Sequence, residues 1–402
     1  MSIIKENIRQ YAIFIALIFI AVLFQGFTGG FFFEHFNLFQ AFQDGLTLTP
    51  VNMTNVIQQN SYIFILAIGM TLVIVTGRID LSVGSTMGLA GAVSGFMIVD
   101  NGLPVVLTIP VVLAVGLLVG AWQGYWIAYK NMPFFVVTLA GMMLWRGLTM
   151  LILDGRMIGP FPDSFQMMSA GFVPDFLGGG NLNHTAIAVC VLIAIAFVAV
   201  EFRKRSVSSK YQVEDLPFGF FVLKLLLAIG VFGLFGYWFG LHNGIPNVFV
   251  LVGTLVLIYS YITGRTILGR HIYATGGNAR TSALSGVKTK QIVFWVYVNM
   301  SILAALAGMV FVARLNAANP RAGVGGELEA IAAAFIGGAS PSGGIGKVSG
   351  AIAGAMIVGL MDNGMSILGA STAWRQVATG LLLLAAVIFD VLLKSKSAGG
   401  AK

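Results

Sequence analysis

Long apolar runs separated by short polar segments occupy nearly the whole chain. Many of these runs approach the ~20 residues that a helix needs to cross a bilayer. Twelve of them fit a crossing, at residues 11–28, 55–76, 81–99, 104–128, 133–153, 184–201, 218–240, 245–264, 292–313, 327–338, 345–368 and 374–393. Lipid leaves no partner for an exposed backbone group, so helices are expected. The pattern predicts an all-α, polytopic transmembrane bundle of about 10–12 helices, with residues 1–402 forming a single transmembrane domain.

Two of the predicted crossings are interrupted. The run 327–338 spans only roughly 18 Å as a helix, and a Gly-, Ser- and Pro-rich loop follows it. The segments 69–91 and 333–354 share this order of apolar half-helix, polar break and glycine-rich helix. Paired broken helices in corresponding halves indicate the pathway of a transporter. The alternative is that glycine-rich membrane hairpins simply resemble one another.

Composition and charge narrow the class of protein. Hydrophobic residues make up 57% of the chain and charged residues only 9%, whereas about 25% is usual, which argues against a soluble domain. With the N-terminus inside, only Arg156, Arg314, Arg321 and Arg375 fall in outer segments. This bias predicts that both termini are cytoplasmic. No small-x-small cleavage site follows the first apolar run, so the first helix is expected to be uncleaved. The bias also makes the net charge of +8 a topology signal rather than a nucleic-acid surface.

Three polar segments are predicted on the cytoplasmic side. They are the loop 203–217, the longer segment 264–291 and a short solvated tail at 394–402.

Polar residues within the broken segments are candidates for a substrate pathway. An Asp in a membrane costs roughly 2.5–3.5 kcal/mol on insertion scales, so Asp80 should face a cavity or a partner. The alternative is that Asp80 caps the following helix. The predicted pathway residues, which supply hydroxyl, amide, carboxylate and backbone groups, are Asp80, Ser82, Gly84, Ser340, Ser342 and Asn363.

Two charges are predicted to be buried for structural reasons. Arg146 lies far inside its predicted crossing and needs a partner, for which Asp80, Asp154 and Asp362 are available. Asp362, near the end of a glycine-rich helix, is the second such charge.

No catalytic or metal-binding constellation stands out. Lys347 follows glycines, but Pro341 and Val348 break the pattern of a phosphate-binding loop. The four His residues are scattered and Cys190 is the one cysteine. We therefore expect a protein that is not an enzyme and that binds no metal or cofactor itself.

The polar segment 264–291, which we call the island, has the most specific pattern. Glycine-rich residues 273–278 precede a helix-compatible run at 279–284, which Ser285 and Gly286 end. A short helix between two glycine-rich turns would form a compact projection suited to a groove on another protein. The alternative is a plain solvated loop.

Three motifs together resemble the permease family of monosaccharide ABC importers, which includes ribose, xylose, arabinose and multiple-sugar permeases. They are GRIDLSVG at 77–84, GGNARTSALSG at 276–286 and GGASPSGGIGKVSG at 337–350. The family usually has Gly where Arg78 stands, and an acidic residue where Arg280 stands. The added helical pair at 184–240 and the run 160–162 look most like the xylose or multiple-sugar branch.

The resemblance implies a function and a set of partners. The chain would be the inner-membrane permease of a bacterial importer for xylose or a related aldose, working as a homodimer. A separate ABC ATPase would bind ATP and Mg, and a periplasmic or surface-tethered protein would bind the sugar. The expected ATPase-coupling residues are Gly276, Gly277, Asn278, Ala279, Arg280, Ser285 and Gly286.

Two other functions remain open at this point. A member of the same family could import an autoinducer, a nucleoside or a branched-chain amino acid. A secondary transporter driven by an ion gradient would need no ATPase, but would need several buried carboxylates, for which Asp80 and Asp362 are the few candidates.

Overall fold

The computed structural model describes residues 2–30, 38–178, 180, 182–211 and 217–399. Its helices are α1 (Ser2–Thr28), α2 (Leu38–Asp44), α3 (Pro50–Gln59), α4 (Ser61–Val75), α5 (Val83–Gly95), α6 (Val105–Ala128), α7 (Phe134–Leu153), α8 (Asp163–Gln166), α9 (His184–Lys210), α10 (Phe218–Leu241), α11 (Asn247–Arg265), α12 (Ile267–Gly277), α13 (Ala279–Leu284), α14 (Thr289–Leu315), α15 (Gly326–Ile336), α16 (Val348–Ile367) and α17 (Thr372–Gly399). A π-helical turn, Phe96–Asp100, extends α5. Within the described residues, β pairing is limited to two isolated bridges.

The helices confirm the predicted all-α membrane bundle. In the described residues, eight helices are long and apolar enough to cross a membrane, and the pair α3–α4 makes a ninth if it is one span bent by 48°. Shorter apolar helices lie within α1 and α17. The predicted run 327–338 becomes α15, which is only 11 residues long.

Burial separates a central set of helices from a peripheral one. In α14, 78% of the span is buried, whereas only 11% is buried in α10 and in α11. α14 packs against α4, α5 and α6, and α15 packs against α16. The peripheral helices therefore leave many apolar side chains exposed, as expected of surfaces that face lipid.

Glycines on α5 allow an irregular segment to descend beside it. A Cβ atom on Gly88 would lie 2.6 Å from the carbonyl oxygen of Ala322, and one on Gly95 would lie 3.0 Å from the side chain of Ala318. Small residues let backbones approach closely in membranes. Residues 316–325 therefore run along α5 to the start of α15, which explains how so short a helix completes a crossing.

Contacts between loops define the two ends of the bundle. At one end, Arg156 pairs with Asp100 at 3.0 Å, and Ile158 bridges to Ala318. At the opposite end, the backbone N–H of Gly344 donates to the carbonyl of Val75 at 2.8 Å. We call this second end, which also carries the island, the coupling end, and the first the far end.

The predicted additional pair of helices is present as α9 and α10, which pack against each other. α10 also contacts α3, and Trp238 Nε1 donates to the carbonyl oxygen of Leu48 at 3.0 Å.

Two predicted polar segments differ from expectation. The loop expected at 203–217 begins as helix, since α9 continues to Lys210, while residues 212–216 lie outside the described residues. The tail expected at 394–402 is helical through Gly399, and its last three residues likewise lie outside them. Helical hydrogen bonding continues past the apolar run in both cases, because nothing in the sequence stops the helix there.

Candidate functional site

The island folds as two short helices. Thr266 Oγ1 accepts from Gly269 N at 3.1 Å and starts α12, and Asn278 Oδ1 accepts from Thr281 N at 2.9 Å and starts α13. Such side chains satisfy backbone donors that a helix start leaves free. The predicted helix 279–284 is therefore confirmed. The expected first glycine-rich turn is not, because Gly276 and Gly277 form the last turn of α12.

The tip of the island is open to a partner. Residues 277–286 are exposed apart from Ser282, which is 7% exposed. Leu284 is 84% exposed, although it lies outside the predicted spans. The predicted coupling residues Gly277, Asn278, Ala279, Arg280, Ser285 and Gly286 all belong to this surface.

Gly276 joins the island to the rest of the bundle instead. A Cβ atom there would overlap the carbonyl oxygen of Val75 and lie 2.8 Å from Gly344 N. Tyr273 Oη donates to the carbonyl oxygen of Gly346 at 2.6 Å. We call these contacts, between residues 75–77, 273–276 and 343–346, the glycine junction. It connects the island to the end of α4 and to the loop between α15 and α16, and so to both broken crossings.

The first break is held by a buried polar network. Asp80 Oδ1 accepts from Ser82 N at 2.9 Å, and it lies 2.7 Å from Ser82 Oγ. The amide of Gln123 on α6 lies 2.6 Å from Ser82 Oγ, with its nitrogen placed to donate to Asp80 Oδ2 at 3.2 Å and its oxygen to accept from Trp145 Nε1 at 3.2 Å. Asp80, Ser82 and Gln123 are all 0% exposed.

This geometry assigns Asp80 a structural contact. It binds the N–H of Ser82, which is the residue just before α5, so Asp80 stabilises the backbone of the break two residues ahead of it. Gly84 is buried where Gly323 and Glu327 approach it. The role of Asp80, Ser82 and Gly84 in a substrate pathway stays a prediction.

The remaining predicted pathway residues lie elsewhere. Ser340 and Ser342, whose hydroxyls are 3.0 Å apart, lie at the coupling end beside the glycine junction. Asn363 exchanges hydrogen bonds of 2.8 and 3.1 Å with Asn52, near the far end. The predicted residues therefore fall into three separate places along the bundle.

The structure gives Arg146 a partner other than those predicted and leaves Asp362 partly exposed. Arg146 Nη2 lies 4.0 Å from Glu327 Oε1, so its partner is none of the three aspartates proposed. Asp362 pairs with Arg375 at 3.0 Å, and its side chain is 46% exposed, so it is not a buried charge. Glu327 lies in the first turn of α15, and the irregular segment 316–325 brings it beside Gly84 of α5. The sequence pattern, which predicts a simple helix here, does not indicate this contact.

Several polar residues of the interior were not singled out from the sequence. Gln123 and Trp145 complete the network around Asp80, and Tyr62 Oη donates to Glu329 Oε2 at 2.7 Å. Each lies in or beside a predicted crossing, where polar side chains are costly and seek partners. The sequence signal for Gln123 and Glu329 is a polar side chain inside an apolar run.

The described residues hold no group of three or more His, Cys, Asp or Glu side chains that could bind a metal ion.

Comparisons with known proteins place this arrangement among transport proteins. The family model described as branched-chain amino acid transport system / permease component matches residues 52–387. The chain is 34% identical to the xylose transport system permease protein of Escherichia coli over 358 residues, which is 88% of each chain. It is 35% identical to the xylose transport system permease protein of Haemophilus influenzae, over 89% of this chain and 93% of that one.

A second group of relatives carries a different sugar in its name. The chain is 33% identical to the ribose import permease protein of Escherichia coli over 341 residues, covering 84% of this chain and 85% of the relative. No solved structure matches the chain.

Proposed function

The chain belongs to the family of branched-chain amino acid transport system permease components, and on that premise we propose that it is the membrane subunit of an ABC importer for xylose or a related aldose. The two xylose permeases match nearly their whole length, which supports a pentose over the other solutes carried in the family. A multi-pass permease of this kind resides in the cytoplasmic membrane, and we propose that the coupling end faces the cytoplasm.

The glycine junction is the observation that carries this proposal. An ATPase seated on the exposed tip of α13 would move the island, and the junction transmits that movement because the backbone at Gly276 packs directly against Val75 and Gly344. The two broken crossings would then shift together. Leu284, exposed to water without a partner, offers the apolar contact that an interface core requires.

A homodimer and a separate sugar-binding protein complete the proposed system. The ATPase binds ATP and Mg, and the binding protein delivers the sugar to the far end. In this proposal the permease is not an enzyme and binds no cofactor of its own.

The test is uptake of radiolabelled xylose by vesicles that contain the chain with a xylose-import ATPase and its binding protein. We expect accumulation that needs ATP and persists when a protonophore collapses the proton gradient. Vesicles with the permease alone should equilibrate or exclude the sugar. Accumulation by the chain alone would instead identify an ion-driven transporter, and uptake of leucine or a nucleoside in place of xylose would change the substrate.

A further inference from the structure

A polar cavity opens at the bend between α3 and α4, and none of the predicted pathway or coupling residues lines it. Its volume is about 400 Å³, and its lining residues are Gln58, Gln59, Ser61, Tyr62, Phe311, Arg314 and Leu315. The bend of 48° turns around Asn60, so that the end of α3 and the first turn of α4 face the last turn of α14. The cavity therefore lies in the half of the bundle next to the far end.

The lining is unusual for a position beside a membrane. Five of its side chains carry hydrogen-bonding groups, and Gln59 is exposed. Uncompensated polar groups facing hydrocarbon are costly, so polar residues at this depth line water-filled passages or protein interfaces. The lipid-facing helices, by contrast, expose leucine and isoleucine. The cavity thus belongs to a wet surface of the bundle.

Two of the lining groups are arranged to receive a ligand. Tyr62 is fixed, because its hydroxyl donates to Glu329 and its ring meets that of Phe311 edge-on at 5.1 Å. Its oxygen keeps acceptor capacity for a further donor. No carboxylate among the described residues pairs with the half-buried guanidinium of Arg314, which leaves its five donors for a guest.

We propose that this cavity is a weak binding station for a neutral, polyhydroxylated solute on its way from the far end into the bundle. The inference rests on the proposed function and names a site for its substrate. Sugar hydroxyls both donate and accept, and the lining offers amide and hydroxyl oxygens as acceptors and amide and guanidinium groups as donors. The Phe311 side chain supplies an apolar part of the lining for the C–H groups of the sugar.

The lining favours a sugar over an amino acid. No residue of the lining is acidic. Of the carboxylates near it, Glu329 is bound by Tyr62 and Asp362 pairs with Arg375. The ammonium group of an amino acid would therefore be buried without a counter-charge, which is costly. A neutral pentose needs none, and a cavity of this size matches small-molecule sites in general.

Cysteine labelling tests the station without relying on transport. In the full-length protein with Cys190→Ala, the variant Gln59→Cys is placed in native-like vesicles and treated with a charged, water-soluble thiol reagent. We expect rapid labelling that D-xylose slows, to about a tenth of the rate at ~10 times the dissociation constant. Leu257→Cys, at a position 74% exposed on the peripheral helix α11, is the lipid-facing control and should label slowly with or without sugar.

A second substitution tests whether the protection of Gln59→Cys by D-xylose arises from binding in the cavity. Adding Arg314→Gln to Gln59→Cys should weaken protection by D-xylose about tenfold, because a charge-assisted hydrogen bond is removed. Arg321→Gln, an exposed arginine outside the cavity, should leave protection unchanged.

The outcomes separate this inference from the proposed function. Suppose that the complete system takes up xylose but xylose does not slow the labelling of Gln59→Cys. This result would overturn the binding station and leave the transporter assignment intact. Protection by leucine or a nucleoside, but not by a pentose, would overturn the sugar as its guest. Labelling as slow as at Leu257→Cys would show a dry cavity and also overturn the proposal.

Discussion

Gly276 has no room for a side chain, whereas a methyl group added to its neighbour Gly277 would meet no other atom within 4 Å. Both are in the last turn of α12, and Gly277 is the first residue of the exposed tip. Gly276 therefore belongs to the glycine junction, which we propose transmits motion, and Gly277 belongs to the exposed surface proposed to contact the ATPase.

The two glycines give a matched test of the junction. Gly276→Ala should reduce ATP-driven xylose uptake at least about tenfold, because the added methyl group must displace the backbone of Val75 or Gly344, and such overpacking costs about 1–3 kcal/mol or more. Gly277→Ala should retain uptake. Surface expression and detergent-solubilised size are measured for both; equal uptake by the two variants would show that the junction does not transmit motion.

Ser82 is the centre of the network that holds the first break. Ser82→Ala removes the hydroxyl that contacts both Asp80 and Gln123 and leaves buried groups unsatisfied, which costs about 1–3 kcal/mol. The expected result is a lower melting temperature in detergent. Ser94→Ala is the control, because Ser94 is equally buried on α5 but bonds only to a carbonyl of its own helix. Equal shifts for the two would contradict the network.

The sequence predicts which charged residues need a partner, but not always which partner they find. Asp80 was singled out because a carboxylate in an apolar setting is costly, and its burial against Ser82 follows from that cost. The partner of Arg146 was not found, since Glu327 approaches it only through the irregular descent of residues 316–325. Long-range pairs depend on packing, which one sequence does not encode locally.

At the scale of elements, helix starts follow the chemistry of their caps. Thr266 and Asn278 divide the island into α12 and α13, and the short helix 279–284 could be predicted because Asn278 and Gly286 bracket it. The bend between α3 and α4 could not, since no Pro or Gly marks it; Asn60 breaks the helix there, and its side chain bonds back to the carbonyl of Val56.

Asp175 anchors the start of α9 and gives that element a pH dependence. Its carboxylate accepts from the Thr185 hydroxyl and from the backbone N–H groups of Leu177 and Thr185. The hydroxyl bond above all holds the pKa of Asp175 below its usual value. A depressed pKa means that the ionised form stabilises the fold, so this contact is present at neutral pH and is lost as the pH falls through the lowered value.

Protonation of Asp175 is mimicked by Asp175→Asn at neutral pH. We expect faster hydrogen exchange in a peptide covering 175–190, by about threefold or more, because one hydrogen-bond acceptor with full charge is lost. Asp163→Asn, in the same far-end region, is the control. Unchanged exchange in Asp175→Asn would indicate that the loop is held by other contacts.

At the scale of the whole molecule, the apolar runs predicted the helices and their class because bilayer thickness constrains span length directly. The descent beside α5 and the meeting of the island with both breaks depend on glycines that permit close approach. The spacing of these glycines can be read from the sequence, but the distant segments that pack against them cannot.

The orientation of the whole bundle in the membrane is also predicted, with the coupling end facing the cytoplasm. In vesicles with the extracellular face outward, and in the Cys190→Ala background, an impermeant thiol reagent should label Ser164→Cys at the far end and spare Ser285→Cys at the coupling end. Both positions are exposed. Permeabilising the vesicles should restore labelling of Ser285→Cys; the reverse order would place the island outside and exclude a cytoplasmic ATPase.

The glycine junction also limits how such permeases can be recombined. Three stretches distant in the chain, at 75–77, 273–276 and 343–346, approach one another closely, above all at Gly276, where a Cβ atom would overlap the carbonyl oxygen of Val75. Consider a chimera that takes only the island from another permease so that it can bind that permease's ATPase. Its residues 273–276 would then come from a different protein than residues 75–77 and 343–346, and the glycine junction would not pack correctly. The smallest exchange that preserves the glycine junction replaces all three stretches together.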